Sequence, residues 1–162
     1  MHGSVYGWTA EIVDWWHLAK LPTLEVGSGI VNGTVRDHFS GKYLGVDIAP
    51  GIGVDMVADA ETLEGVEGVW PVVISTEMLE HVARPWLAVI AMTRRSVPGG
   101  HVILTARGYD ERGCWEPHGY PHDHWRFSEL SMRTMAEDAG LTVDTLTADP
   151  EGPGWFLHGL VP

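Results

Sequence analysis

Glu77, Glu80 and His81 stand at i, i+3 and i+4, which puts two carboxylates and an imidazole on one face of a helical turn. Completed by His122 or His124 from later in the chain, such a set has the donor chemistry for Mg²⁺ or a transition ion. The imidazoles also suit a second task. Neutral histidine is the side chain matched to proton removal near pH 7, and His81, His122 and His124 are the candidates for a base. Nine histidines in the chain dilute the claim of any one of them.

A second constellation lies earlier. Residues 23–33 read TLEVGSGIVNG. Leu24 and Val26 flank Glu25 as at the end of a strand, and a glycine-rich turn of Gly27, Ser28 and Gly29 follows. Residues 34–39 read as a helix. Glycines there allow backbone angles closed to other residues and leave the main chain bare for a cofactor. Asp47 follows Gly27 by 20 residues, at the end of the apolar run 43–46, with Ile48 next to it. An acid at the tip of a second strand is placed to hydrogen-bond a ribose diol. Turn and acid together read as a nucleoside-cofactor site. A dinucleotide fingerprint would carry glycine where Asn32 stands, and Glu25 would repel a pyrophosphate. The same charge would welcome a sulfonium and an amino group.

These residues resemble the class I S-adenosylmethionine-dependent methyltransferases, in particular small bacterial and phage proteins of the type 11 kind. Their first motif, E/D-x-G-x-G-x-G, is matched by Glu25, Gly27 and Gly29, while Val31 stands at the third glycine. The resemblance extends to E-x-L-E-H-V at 77–82, to P-G-G at 98–100 before an apolar strand, and to YPHDHWRFS at 120–128. It implies a Rossmann-like α/β sheet of seven strands, mostly parallel with an antiparallel last strand. It implies S-adenosylmethionine as cofactor, lined by Glu25, Gly27, Ser28, Gly29, Asp47, Ile48, Asp59 and Ala60, with Asp59 and Ala60 at the adenine. Glu77 and Met78 then lie near the methionine end. A metal held by Glu77, Glu80, His81 and His122 would resemble the metal-dependent O-methyltransferases of ubiquinone synthesis and small-RNA 3′ ends, but metal-free relatives carry similar letters. The acceptor expected is a small-molecule or sugar-like hydroxyl or amine. The competing expectations are an NAD(P)-binding oxidoreductase and a non-catalytic cofactor-binding partner subunit.

The elements that must position these residues follow from periodicity. Residues 5–19 place Val5, Trp8, Ile12, Trp15, Trp16 and Ala19 at helical spacing, with Pro22 as terminator. By the resemblance this helix covers the cofactor side, where Tyr6 and Trp8 help close the site. Strands are expected at 23–26, 43–46, 54–58 and 69–74, the last apolar enough for burial on both faces. Pro85 opens a helix with Trp86, Val89, Ile90, Thr93 and Val97 as its buried stripe. A strand follows at 101–105, then the irregular insert 107–126 on the acceptor side. A helix from Ser128, capped by Gly140, and strands from 141 and over 154–160 complete the chain. Strands alternating with helices argue for a doubly wound α/β sheet, whose ligands sit beyond the carboxyl ends of the strands. In the insert, Tyr109, Trp115, Tyr120 and Trp125 offer an aromatic wall, and Arg107 and Arg126 offer cations for an acceptor carboxylate.

Composition bounds the partners. The 162 residues suit one domain. A formal net charge of −12 with ten Lys and Arg disfavours nucleic acid and favours a neutral or cationic small acceptor. The single cysteine, Cys114, excludes an internal disulfide and fits a reducing cytoplasm. No apolar run approaches a membrane span and no leader opens the chain. Exposed tryptophans would permit a homodimer.

Overall fold

Seven strands hydrogen-bond into one sheet in the computed structural model, which describes residues 3–110, 113 and 122–162. They are β1 (Thr23–Val26), β2 (Tyr43–Asp47), β3 (Met56–Val57), β4 (Trp70–Thr76), β5 (Ser96–Arg107), β6 (Thr142–Ala148) and β7 (Gly154–Leu160). Their order across the sheet is β3-β2-β1-β4-β5-β7-β6. The pairs from β3 to β5 are parallel, and β7 runs antiparallel to both β5 and β6. This is the doubly wound, mostly parallel sheet that the sequence led us to expect, with its last strand reversed.

Helices α1 (Gly3–Trp15), α2 (Pro85–Arg94) and α3 (Glu129–Asp138) cover the sheet. Adjacent residues of β4 feed opposite cores, as the two-residue period of a strand requires. Val73 joins Leu24, Val26, Val46 and the buried faces of α2 and α3. Val72 and Ile74 join Ile12 and Val13 of α1, with Leu18 and Ile103. All three are fully buried, so the continuous apolar run does mark a strand covered on both sides.

Several local expectations are corrected. The segment after the glycine turn is not an α-helix. Only a single 3-10 turn forms, at Arg36–His38. Gly33 and the β-branched Val31, Thr34 and Val35 favour helix weakly. The segment is held instead from outside, with Ile30 N donating to Ile52 O at 2.9 Å and Arg36 Nη1 3.0 Å from Asp55 Oδ2. Helix α1 ends before Pro22. His17 takes a left-handed conformation (φ 56°), and Leu18 N donates back to Val13 O at 2.8 Å, which closes the helix C-terminus. That leaves Trp15 79% exposed rather than in the stripe.

Helix α2 buries Pro85, Ala88, Val89, Ala91 and Met92, while Trp86 is exposed. It stops at Arg94 because Ser96 already pairs with Trp70. The register then jumps to Val72 opposite His101, so Pro98-Gly99-Gly100 is a bulge inside β5 rather than a turn before it. Helix α3 is capped as expected: Ser128 Oγ accepts from Ser131 N at 3.1 Å, and Ser131 Oγ accepts from Ser128 N at 2.8 Å.

Candidate functional site

The carboxyl ends of β1, β2, β4 and β5 open into a cavity of about 880 Å³. Its first wall is the glycine turn. Gly27 has φ 84°, and a Cβ there would lie 2.5 Å from Met78 Cγ, so only glycine lets the turn close against the loop after β4. The turn is tied to β2, since Gly27 N and Ser28 N both donate to Val46 O, at 2.8 and 3.0 Å. Asp47 stands opposite. Its Oδ2 accepts from Gly29 N at 2.9 Å and its Oδ1 from Ile48 N at 2.7 Å. Each oxygen retains acceptor capacity for a further donor, such as a diol.

Glu25 lies beneath the turn, buried, with Tyr43 Oη donating to its Oε2 at 3.0 Å. Burial pushes its carboxyl up to about 7, against the pull of the Tyr43 hydrogen bond and of Arg36. Desolvation likewise pushes the Tyr43 phenol well above its ordinary value. A cation beside it would favour its charged form.

Asp59 and Ala60, after β3, line the same cavity. Asp59 Oδ1 accepts from Glu61 N at 2.8 Å and holds a turn.

The loop after β4 is the second wall. Glu77 takes φ 53°, rare for a side-chain-bearing residue and a mark of a position fixed by its surroundings. Its amide donates to Thr105 O at 3.1 Å, its Oε1 accepts from Thr105 Oγ1 at 3.2 Å, and its Oε2 lies 3.8 Å from Arg107 Nε. Burial raises the Glu77 carboxyl, and Arg107 opposes the rise. A 3-10 turn at Leu79–His81 follows, in which Glu80 is fully buried. Desolvation, then the charge of Glu77, push the Glu80 carboxyl up to about 8. The amides of His124 and Trp125 both donate to Glu80 O, at 2.8 and 3.2 Å, which fastens the end of the insert onto this turn. His122 and His124 rings stack 5.9 Å apart.

One cavity thus gathers the residues expected to line the cofactor, Glu25, Gly27, Ser28, Gly29, Asp47, Ile48, Asp59, Ala60, Glu77 and Met78, with Glu80, His81, His122 and His124. What the sequence did not single out are Thr34, Ala58, Glu61, Thr76 and Ala83, which also line it. The helix expected at 34–39 hid the first of these. Among the described residues, no group of three or more His, Cys, Asp and Glu side chains is arranged to hold a metal ion, so Glu77, Glu80, His81 and His122 share a cavity without forming a ligand set.

Helix α1 contributes nothing to the lining. Trp8 stacks on Phe156 at 5.1 Å, and Tyr6 packs on His38 at 4.1 Å. Trp125 donates its ring N–H to Ala83 O and meets Trp86 edge-on; neither it nor the exposed Tyr109 lines the cavity. Arg126 pairs with Asp123, its Nη2 2.8 Å from Oδ2. Cys114, Trp115 and Tyr120 lie outside the described residues.

No protein-family model matches the chain, and no curated sequence does. Solved structures do. The complex between the Haloferax volcanii Trm112 methyltransferase activator and a candidate methyltransferase is matched at TM-score 0.70 and 17% identity, over 98% of this chain and 96% of that one. Burkholderia thailandensis 1,6-didemethyltoxoflavin-N1-methyltransferase, bound to 1,6-didemethyltoxoflavin and S-adenosylhomocysteine, is matched at TM-score 0.75 and 12% identity, over 98% and 78%. The [4+2]-cyclase SpnF is matched at TM-score 0.72 and 12% identity, over 97% and 81%. The fold is that of the class I S-adenosylmethionine-dependent methyltransferases. At these identities the likeness is one of fold, and the cyclase shows that the fold alone does not name a reaction. Among the described residues, no helix is long and apolar enough to cross a membrane.

Proposed function

We propose that the chain binds S-adenosylmethionine and transfers its methyl group to a small-molecule acceptor. The observation that carries this is the bare glycine turn held by Asp47 over a buried Glu25, at the carboxyl edge of a methyltransferase-type sheet. The fit is specific to a sulfonium donor rather than a dinucleotide. A pyrophosphate needs a helix N-terminus after the turn, and here no α-helix follows. The cavity instead presents the carboxyls of Glu25, Asp47, Asp59, Glu61 and Glu77. When bound, the donor supplies a methyl carbon already activated for in-line displacement.

The chain's own task is then placement. Gly27, Ser28 and Gly29 leave the main chain bare, Asp47 takes a sugar diol, and Glu25 supplies charge under the turn. Asp59 and Ala60 serve the adenine end, and Glu77 and Met78 the methionine end. His81, His122 and His124 stand on the cavity wall, where a base would take an acceptor proton. The reaction belongs to the cytoplasm in this reading, and the segment 107–126 shapes the acceptor side.

Calorimetry of the purified chain with S-adenosylhomocysteine and, separately, with NAD and NADP tests the reading. Binding of the first and not of the others is expected. Tight binding of a nicotinamide dinucleotide would replace the reading with an oxidoreductase. Binding of S-adenosylhomocysteine with no turnover across a broad acceptor screen would favour a non-catalytic subunit. One fold neighbour is a complex with an activator, so the screen is run with and without proteins that copurify.

A further inference from the structure

The loop after β4 carries a carboxyl group that methyl transfer, as read above, leaves without a task. Glu80 is fully buried and forms part of the cavity wall, yet neither of its carboxyl oxygens has a hydrogen-bond partner in another residue. The residue is not loose. Leu79 beside it is buried, and the amides of His124 and Trp125 grip its carbonyl. An acceptor stranded in the interior costs about 1–3 kcal/mol, and native folds keep few of them. Here the stranded group borders a cavity, so a ligand is the natural source of the missing donors.

The chemistry of those donors follows from number and charge. Two free oxygens call for two donors. A hydroxyl offers one, a neutral primary amine two and an ammonium three. Glu77 is already engaged by Thr105 and Arg107, so it does not compete for them. Among the described residues, six carboxyl side chains line the cavity against Arg107 as the single lining Lys or Arg, a surface that draws in a cation and turns away an anion. An amine meets both requirements and a hydroxyl meets neither.

We propose that Glu80 is the recognition point for an amino group on the methyl acceptor, so that the cavity selects amines over hydroxyl compounds. This rests on the methyl-transfer reading. The ammonium that binds first gives one proton to solvent; the lone pair so freed forms the new N–C bond, and the C–S bond pair returns to sulfur to leave a thioether. The product is an N-methylated amine.

The test separates the two readings. The full chain is first titrated with S-adenosylhomocysteine; failure at that step sinks the methyl-transfer reading, and this proposal with it. The saturated complex is then titrated with benzylamine, phenethylamine and cyclohexylamine, and with the alcohols of the same carbon skeletons, followed by ligand-observed NMR. The amines are expected to bind at least tenfold tighter than their alcohols. Glu80→Gln is expected to remove that preference while changing S-adenosylhomocysteine affinity by less than threefold. Equal binding of amines and alcohols to the wild-type complex overturns the proposal, and so does a preference that survives in Glu80→Gln. A large loss of S-adenosylhomocysteine affinity in a folded Glu80→Gln chain, with the amine preference intact, also overturns it, since Glu80 would then serve the donor's own amino group. Should that variant fail to fold, the wild-type comparison alone decides.

Discussion

Gly29 and Asp47 are joined across the mouth of the cavity: the glycine amide donates to Asp47 Oδ2 at 2.9 Å. A Cβ on Gly29 would stand 3.0 Å from that same oxygen. The acid therefore does two things at once. It fixes the shape of the turn, and it presents its remaining lone pairs to whatever lies in the cavity. Neither residue has its role without the other.

Asp47→Ala is expected to lower S-adenosylhomocysteine affinity by at least tenfold. Hydrogen bonds to a charged group are worth about 1.5–3 kcal/mol, and the variant removes them from both ligand and turn. Calorimetry on wild type and variant checks this. Unchanged affinity would remove Asp47 from the site.

Gly27→Ala is expected to destabilise the chain by about 1–3 kcal/mol, because its φ of 84° is strained for alanine and Met78 Cγ occupies the space of the new methyl. Urea denaturation measures the loss. Adding Met78→Ala removes the Cγ collision but leaves the Cβ of residue 78 at 2.7 Å and the backbone strain in place, so stability should return only in part.

The buried carboxyls set a pH dependence. Glu25 titrates at about 7 and Glu80 at about 8, both raised from 4.5 by burial. The stability that each contributes is complete below pH 4.5 and is lost as pH rises through its folded value. A sulfonium favours the ionised form, so S-adenosylmethionine should bind more tightly as pH rises. Between pH 6 and 8 the gain expected from Glu25 alone is about tenfold, since its ionised fraction changes by about that factor. S-adenosylhomocysteine, uncharged at sulfur, should show a shallower slope, and Glu25→Gln should flatten the slope for the charged donor. Parallel slopes for both ligands would count against Glu25 as the cation's partner.

Away from the cavity, His158 is fully buried between Asp144, whose Oδ2 is 3.0 Å from its Nδ1, and His101, whose Nδ1 is 2.9 Å from its Nε2. Burial holds both imidazoles below their ordinary value, so the stability they contribute is present above about 6.5 and is lost on acidification. Asp144→Asn should cost about 1–3 kcal/mol in thermal or chemical denaturation at neutral pH. It should leave S-adenosylhomocysteine affinity unchanged, because none of these residues lines the cavity.

Much of this molecule was legible in the one-dimensional pattern. Residues 23–26 and 154–160 form the strands that their apolar pattern indicated, and Ser128 caps α3. These are local decisions of periodicity, turn chemistry and capping, and they do not need a distant partner. The glycine turn, Asp47 and the carboxyls after β4 were legible for the same reason, since a strand end followed by glycine or acid announces itself within a few residues. Where the reading failed, a remote contact overruled the local preference. The stretch after Gly33 is pinned through Arg36 by Asp55 and never becomes a helix, and α2 yields its last residues to the pairing of Ser96 with Trp70. Only the tertiary structure could show that Glu80 is sealed in the cavity wall without a donor from another residue. Burial and the lack of a partner are properties of everything around a residue, and no spacing along the chain encodes them.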